Sequence, residues 1–188
     1  PHPEVSPQLA PLSTPARLVK HEDVPNDRLY LAFRLPVDAT DDYLASAVGF
    51  GALGGLASSR LVNRLVRQEE SATSIHAHTL GLVDGTSLGL ISADVSAGVD
   101  PAAVEAAITE ELAGFVQSGP TDVELASVLA DTERGWLTEL ADIEDRADHI
   151  SHFSSLANDP AYINTLVSRV GAITADDVTA AAAQWMQP

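Results

Sequence analysis

The sequence predicts an α+β fold in which an antiparallel sheet of about four or more strands is covered by helices on one face. Three observations carry this. Leu29, Leu31, Phe33 and Leu35 alternate strictly with Arg28, Tyr30, Ala32 and Arg34, the period of a strand with one buried face. Asp84-Gly85 lies between two short strand-like runs and signals a hairpin. Helix starts are written as N-caps at Thr40, Asp100, Thr121 and Thr174, and they fall in groups between the strand pairs.

The elements follow in order. Pro1 to Pro15 carries five prolines with Ser and Gln between them, and reads as an extended linker or arm ahead of one domain over 16–188. A first strand is expected over Ala16–His21 and a second over Arg28–Val37, with Pro25-Asn26 in the turn. Thr40 caps a helix over Asp41–Gly54, with Asp41 and Asp42 favourable in its first turn. A helix over Ser58–Glu70 places Leu61, Val62, Leu65 and Val66 on one face. Strands are expected over Ser71–Val83 and Thr86–Val95. Asp100-Pro101 opens a helix with Val104, Ile108, Leu112 and Phe115 at helical spacing, stopped near Gly119-Pro120. The capping box Thr121-Asp-Val-Glu124 starts a helix reaching about Ala157, with a bend near Gly135. Asp159-Pro160 caps the next, and Thr174-Ala-Asp-Asp177 the last, which ends in Trp185. The order is β-β-α-α-β-β-α-α-α-α.

Composition narrows the function classes. The chain has 188 residues, 45% of them hydrophobic and 20% charged, enough for one well-cored domain. Acidic residues number 27 against 10 basic, a net charge of −17 that repels nucleic-acid phosphate and anionic membrane surface alike. There is no cysteine, which excludes disulfides, thiolate catalysis and Cys-type zinc sites. No apolar run is long enough to span a bilayer, and no signal-peptide plan opens the chain. The compartment stays open, since secreted and cytosolic proteins can both lack cysteine, with the cytoplasm as the expectation. Met186 is the single methionine, so a chain opening on Pro1 is expected to be part of a longer or processed protein.

The chemistry-bearing residues have plain structural roles as well as functional ones. His76 and His78 project from one face of a strand, and His149 and His152 lie three apart on a helix. Neither pair sits in H-E-x-x-H or H-x-x-E-H, so a structural or solvated role is expected for both, with no metal held by this chain. Ser58 and Ser59 lack a G-x-S-x-G frame, and the glycines before them lack the Gly-Lys-Ser/Thr ending of a phosphate loop. Paired carboxylates such as Glu110-Glu111 lie on amphipathic helices and read as solvated faces.

Four motifs together resemble the second half of the pitrilysin/insulinase-type zinc metallopeptidases. They are Gly54-Gly55-x-x-Ser58-Ser59-Arg60-Leu61 with Leu65-Val66, then Ala72-Thr73-Ser74-Ile75, then SGPTDVELASV (118–128), and finally VGAITADDVTAAAAQWMQP (170–188). The resemblance runs from about Arg17 to the C-terminus. It implies a non-catalytic half that completes a peptide-binding chamber beside an H-x-x-E-H half holding zinc, on the same polypeptide or a separate subunit. It implies substrate contacts at Gly54, Gly55 and Arg60. An Arg–Tyr pair seven apart, found in many such halves, is replaced here by Val66 and Thr73, leaving Arg67 and Thr73 as nearest candidates. Two alternatives stand beside it: a non-enzymatic assembly subunit of the same fold, and an independent metal-binding domain built on His76 and His78.

Overall fold

The computed structural model describes residues 14–82, 86–156 and 158–187. Three strands, β1 (Arg28–Leu35), β2 (Ala72–Leu80) and β3 (Ser87–Val95), form an antiparallel sheet in the order β1-β3-β2. Register is set by burial. Phe33 and Leu35 of β1, Ile75 and Ala77 of β2, and Ile91, Ala93 and Val95 of β3 all turn to the helix side, where they are buried. A slip of one residue would send all of them to water. Thr73 is the extra residue of a bulge, since Ala72 and Ser74 pair with the consecutive residues Val95 and Asp94.

The sheet is one strand smaller than expected. Residues 16–21 lie alongside the domain without pairing, and they are exposed. Their alternation is broken: Leu18 and Val19 are adjacent, so neither register could bury both, and both stay exposed. Arg17 instead reaches Glu105 with two hydrogen bonds of 2.8 and 2.7 Å. The proline-rich arm to residue 13 and the Asp84-Gly85 hairpin lie outside the described residues.

Among the described residues, six α-helices form the second layer: α1 (Asp41–Phe50), α2 (Pro101–Ser118), α3 (Asp122–Ala141), α4 (Ile143–Leu156), α5 (Leu166–Gly171) and α6 (Ala175–Trp185). The N-caps act as written. Thr40 accepts from Tyr43, Asp100 from Ala102, and capping boxes close at Thr121/Glu124 and Thr174/Asp177. Asp159 caps a short 3-10 turn, Pro160–Asn164, rather than the α-helix itself. The long helix breaks at Asp142 and not at Gly135. Asp142 adopts an extended conformation (ψ 137°) and its carboxylate accepts the N–H groups of Glu144 and Asp145. That local cap satisfies the start of α4 and competes with helix continuation. Gly135 stays helical.

The main core gathers Leu35, Phe50, Leu53, Leu61, Leu65, Ile91, Ile108, Leu112 and Phe115 between sheet and helices. Gly89 lets α1 approach β3, because a Cβ there would stand 2.2 Å from the Phe50 ring. A second, smaller cluster of Trp136, Phe153, Tyr162 and Ile163 sits under α3, α4 and the Pro160–Asn164 turn.

Candidate functional site: the glycine loop and the open sheet face

The glycine stretch departs from plain α-helix. After α1 the backbone widens into a π-helical turn over Gly51–Gly55, and a second π-helical segment runs over Val62–Gln68. Such segments are rare and frequently mark functional sites. Close neighbours explain the glycines of the first. A Cβ at Gly51 would lie 2.8 Å from Val128, and one at Gly54 would lie 2.9 Å from the Ala77 Cβ and 3.0 Å from its backbone nitrogen. Glycine is therefore needed where the chain runs against α3 and β2. Gly55 is different: it is exposed, and its nearest neighbour, the Ala77 carbonyl, is at an ordinary 3.6 Å.

The serines of the motif divide in the same way. Ser59 is buried; its hydroxyl donates to the Gly51 carbonyl (2.8 Å) and accepts from the Leu56 N–H (2.9 Å). It ties off the loop from inside. Ser58 is exposed and offers its carbonyl to the Asn63 amide (2.8 Å).

Arg60 turns away from the loop's open side. Its guanidinium pairs bidentately with Glu124 (2.6 and 2.7 Å), donates to the Gly119 carbonyl (2.9 Å) and lies 5.0 Å over the Phe115 ring. Burial alone would raise the Glu124 carboxyl. The Arg60 guanidinium and the Thr121 N–H and hydroxyl outweigh it and hold the carboxyl below its ordinary range. A motif residue on the loop thus braces the turn between α2 and α3. The Arg60–Glu124 pairing joins residues 64 apart and leaves no trace in local spacing.

Arg67 is exposed and donates to the Asn63 side chain at 3.2 Å, one turn back on the π-helical segment. Thr73, at the bulge, donates its hydroxyl to the Asp94 carbonyl at 3.3 Å. Its neighbour Ser74 donates to the Asp94 carboxylate at 2.8 Å, and Arg28 pairs with the other carboxylate oxygen. These two donors hold the Asp94 carboxyl below its ordinary range. The bulge therefore joins the start of β2 to a polar knot at the sheet's end.

That knot is the first row of a sheet face that no helix covers among the described residues. The registers place Arg28, Asp94 and Ser74 side by side, then Tyr30, Ser92 and His76, then Ala32, Leu90 and His78, then Arg34, Leu88 and Leu80. Tyr30 is 65% exposed and Leu80 50%, and Leu88 and Leu90 take no part in either core cluster. The alternation on β1 already shows that one face differs from the other; what a single sequence hides is that β3 and β2 align the same kind of residue beside it.

Among the described residues, His76 and His78 have no third ligand grouped with them. His76 and His78 share a face, but their row neighbours are Ser92, Tyr30, Leu90 and Ala32, and both oxygens of Asp94 are engaged by Arg28 and Ser74. His149 contacts Glu139 (2.9 Å) against Trp136, whereas His152 contacts Asp38 (3.3 Å), so the second pair diverges. Among the described residues no three His, Asp or Glu side chains are grouped to hold a metal ion. Among them, too, no helix is long and apolar enough to cross a membrane.

Known proteins bear on this geometry. No curated protein sequence matches the chain. Among solved structures, a protease from Helicobacter pylori superposes with a TM-score of 0.81 at 19% identity over 89% of this chain. The chain spans only 40% of that protease. The inactive peptidase domain of a Bordetella parapertussis protein superposes with a TM-score of 0.77 at 21% identity, covering 89% of each chain. A chain of complex III2 from Candida albicans gives 0.74 at 14% identity over 88% of this chain. At these identities the likeness is one of fold: helices on one face of a small antiparallel sheet. The family model described as Peptidase M16 inactive domain matches residues 1–130, more than half the sequence and including the glycine stretch and the bulge. By that match, the chain belongs to the Peptidase M16 inactive domain family.

Proposed function

We propose that this chain is the zinc-free half of a zinc endopeptidase, pairing with an H-x-x-E-H half and walling a chamber that holds a peptide. The observation that carries the proposal is membership of the inactive-domain family. Two features of the geometry support it. A wide sheet face is left without helices, and an exposed glycine, Gly55, stands on a loop whose interior is fixed by Ser59. In this reading Gly55 lets a peptide backbone pass close to the loop, Gly54 sets the loop against β2, and Arg60 holds the loop to α2 and α3. Arg67 and Thr73 flank the passage into β2 as secondary contacts. Zinc, supplied by the partner half, would activate the water; this chain positions the peptide.

The test is reconstitution. The chain is mixed with a separately produced H-x-x-E-H half, and cleavage of quenched fluorescent peptides is followed with and without a chelator. Chelator-sensitive cleavage only when both are present is expected. Proteolysis by this chain alone, with one zinc bound per chain, would overturn the proposal. A second reading, a non-enzymatic assembly subunit, is supported by the fold likeness to a complex III2 chain. Stable association with the other half without any gain in cleavage would favour it.

A further inference from the structure

We propose that the strap over residues 14–26 is a proteolytic processing site, cut by a basic-residue-specific endoprotease at the Lys20–His21 bond. Every residue of the strap is exposed, and 15–24 adopt neither helix nor strand. Among the described residues no backbone hydrogen bond ties 14–26 to the rest of the domain; the bond from the Val24 N–H to the Glu22 carbonyl is internal to the strap. The next tie is the Val95 N–H on the Asp27 carbonyl (2.9 Å). None of the strap's side chains enters either core cluster. A protease cleft takes its substrate as an extended strand and bonds the main chain itself. The strap offers such a strand without prior unfolding. Every arginine from Arg28 onward lies in a strand or a helical segment, which must open first.

Within the strap the side chains choose the bond. Arg17 is clasped to α2 by two hydrogen bonds to the Glu105 carboxylate, at 2.8 and 2.7 Å, so its guanidinium must leave that partner before it can enter a specificity pocket. Lys20, the single lysine of the chain, is 76% exposed and meets Glu22 only at 3.6 Å, too far for a hydrogen bond. Its ammonium is free to be taken. Hydrolysis consumes one water: its oxygen joins the Lys20 carbonyl carbon, the C–N bond breaks, and the His21 nitrogen takes the proton. The products are a Lys20 carboxylate and a new amine at His21. The cut severs residues 1–20 and leaves both core clusters whole.

A lysine-specific endoprotease tests this on the full native chain, with fragments followed by mass spectrometry and a synthetic peptide of residues 14–27 as the unstructured reference. The native chain should be cut after Lys20 at a rate within about tenfold of the peptide. Lys20→Gln should abolish the cut. The 21–188 product should keep the circular dichroism of the intact chain. With trypsin, Lys20 should be cut before Arg134 or Arg146 of the α3–α4 corner. Glu105→Gln, by releasing Arg17, should raise cleavage after Arg17 about two- to fivefold relative to Lys20. A native rate more than about a thousandfold below the peptide's, first cleavage in the α3–α4 corner, or loss of fold on cutting would each overturn the proposal. An unchanged Arg17 to Lys20 ratio in Glu105→Gln would overturn the role of the clasp. No partner half and no zinc enter the assay, so these outcomes are separate from the fate of the chamber reading.

Discussion

Arg60 shows how one side chain can be read two ways. By motif it belongs to a substrate loop; by contacts it is a brace, its planar donors matched to the Glu124 carboxylate and the Gly119 carbonyl. Replacing it with Ala leaves Glu124 half-buried beside a turn that no longer has its clamp. We expect Arg60→Ala to lower unfolding free energy by about 2 kcal/mol in urea titrations. A double-mutant cycle with Glu124→Gln should return a coupling of about 1 kcal/mol or more. Gly55 behaves in the opposite sense. With ordinary room around it, Gly55→Ala should fold with unchanged stability, within about 0.5 kcal/mol, while raising KM in the reconstituted peptidase; an unchanged KM would remove the loop from the substrate path. Protonation adds a third residue-level expectation. Glu124, Asp94 and Asp177 all have carboxyls held below their ordinary range, Asp94 by Arg28 and Ser74, Asp177 by the Thr174 hydroxyl and N–H. Each favours the folded state when ionised, so their contribution is present above the unfolded carboxylate pKa and is lost as pH falls through the folded values. Acid titration followed by tryptophan fluorescence should show stability declining below about pH 4, and the decline should flatten in Glu124→Gln.

At the scale of elements, the contact of α1 with the sheet depends on an absent side chain. Phe50 lies over Gly89 and meets Phe33 edge-to-face with ring centroids 5.8 Å apart. Gly89→Ala should cost about 2–3 kcal/mol by overpacking, and Phe50→Leu in the same chain should recover part of it. The helix starts were legible because caps are local chemistry: Thr40, Asp100, Thr121 and Thr174 each bond within three residues. Three features were not legible, each for a long-range reason. Residues 16–21 read as a strand by composition, yet a strand needs a partner and among the described residues none pairs with them. The break at Asp142 hid because Asp tolerates helix and cap alike, whereas Gly135 carried the stronger local signal. The glycines of the first π-helical segment are required by Val128 and Ala77, which come from distant parts of the chain. The candidate site follows the same division. Its loop is legible as a motif, while the sheet face depends on the registers of three strands from distant parts of the chain.

At the scale of the whole molecule, a net charge of −17 on 188 residues opposes compaction. Exposed carboxylates are partly matched, as where Arg64 reaches Glu69 at the end of its own segment (2.8 Å) and Glu110 of α2 (2.6 Å), but 27 acidic residues far outnumber the 10 basic ones. Raising NaCl from about 10 mM to about 300 mM should therefore raise Tm by several degrees, because the Debye length falls from about 30 Å to under 10 Å. A Tm that falls with salt would mean that ion pairs such as Arg60–Glu124 outweigh the general repulsion.

The division of the interior into two clusters carries a consequence for how the molecule opens. Trp136, Phe153, Tyr162 and Ile163 form a small nucleus separate from the main one, bridged to it through half-buried Leu166. The Trp136 indole N–H reaches the Ile163 carbonyl at 3.3 Å, while Ile143 and Leu137 nearby stand in solvent. So thin a nucleus holds α4 with less free energy than the main core holds β3. Amide hydrogen exchange should then resolve two cooperative units: the α4 amides exchanging through a partial opening, and those of β3 and α2 only through global unfolding. Partial opening would let this corner of the domain yield while the sheet face and the glycine loop keep their shape.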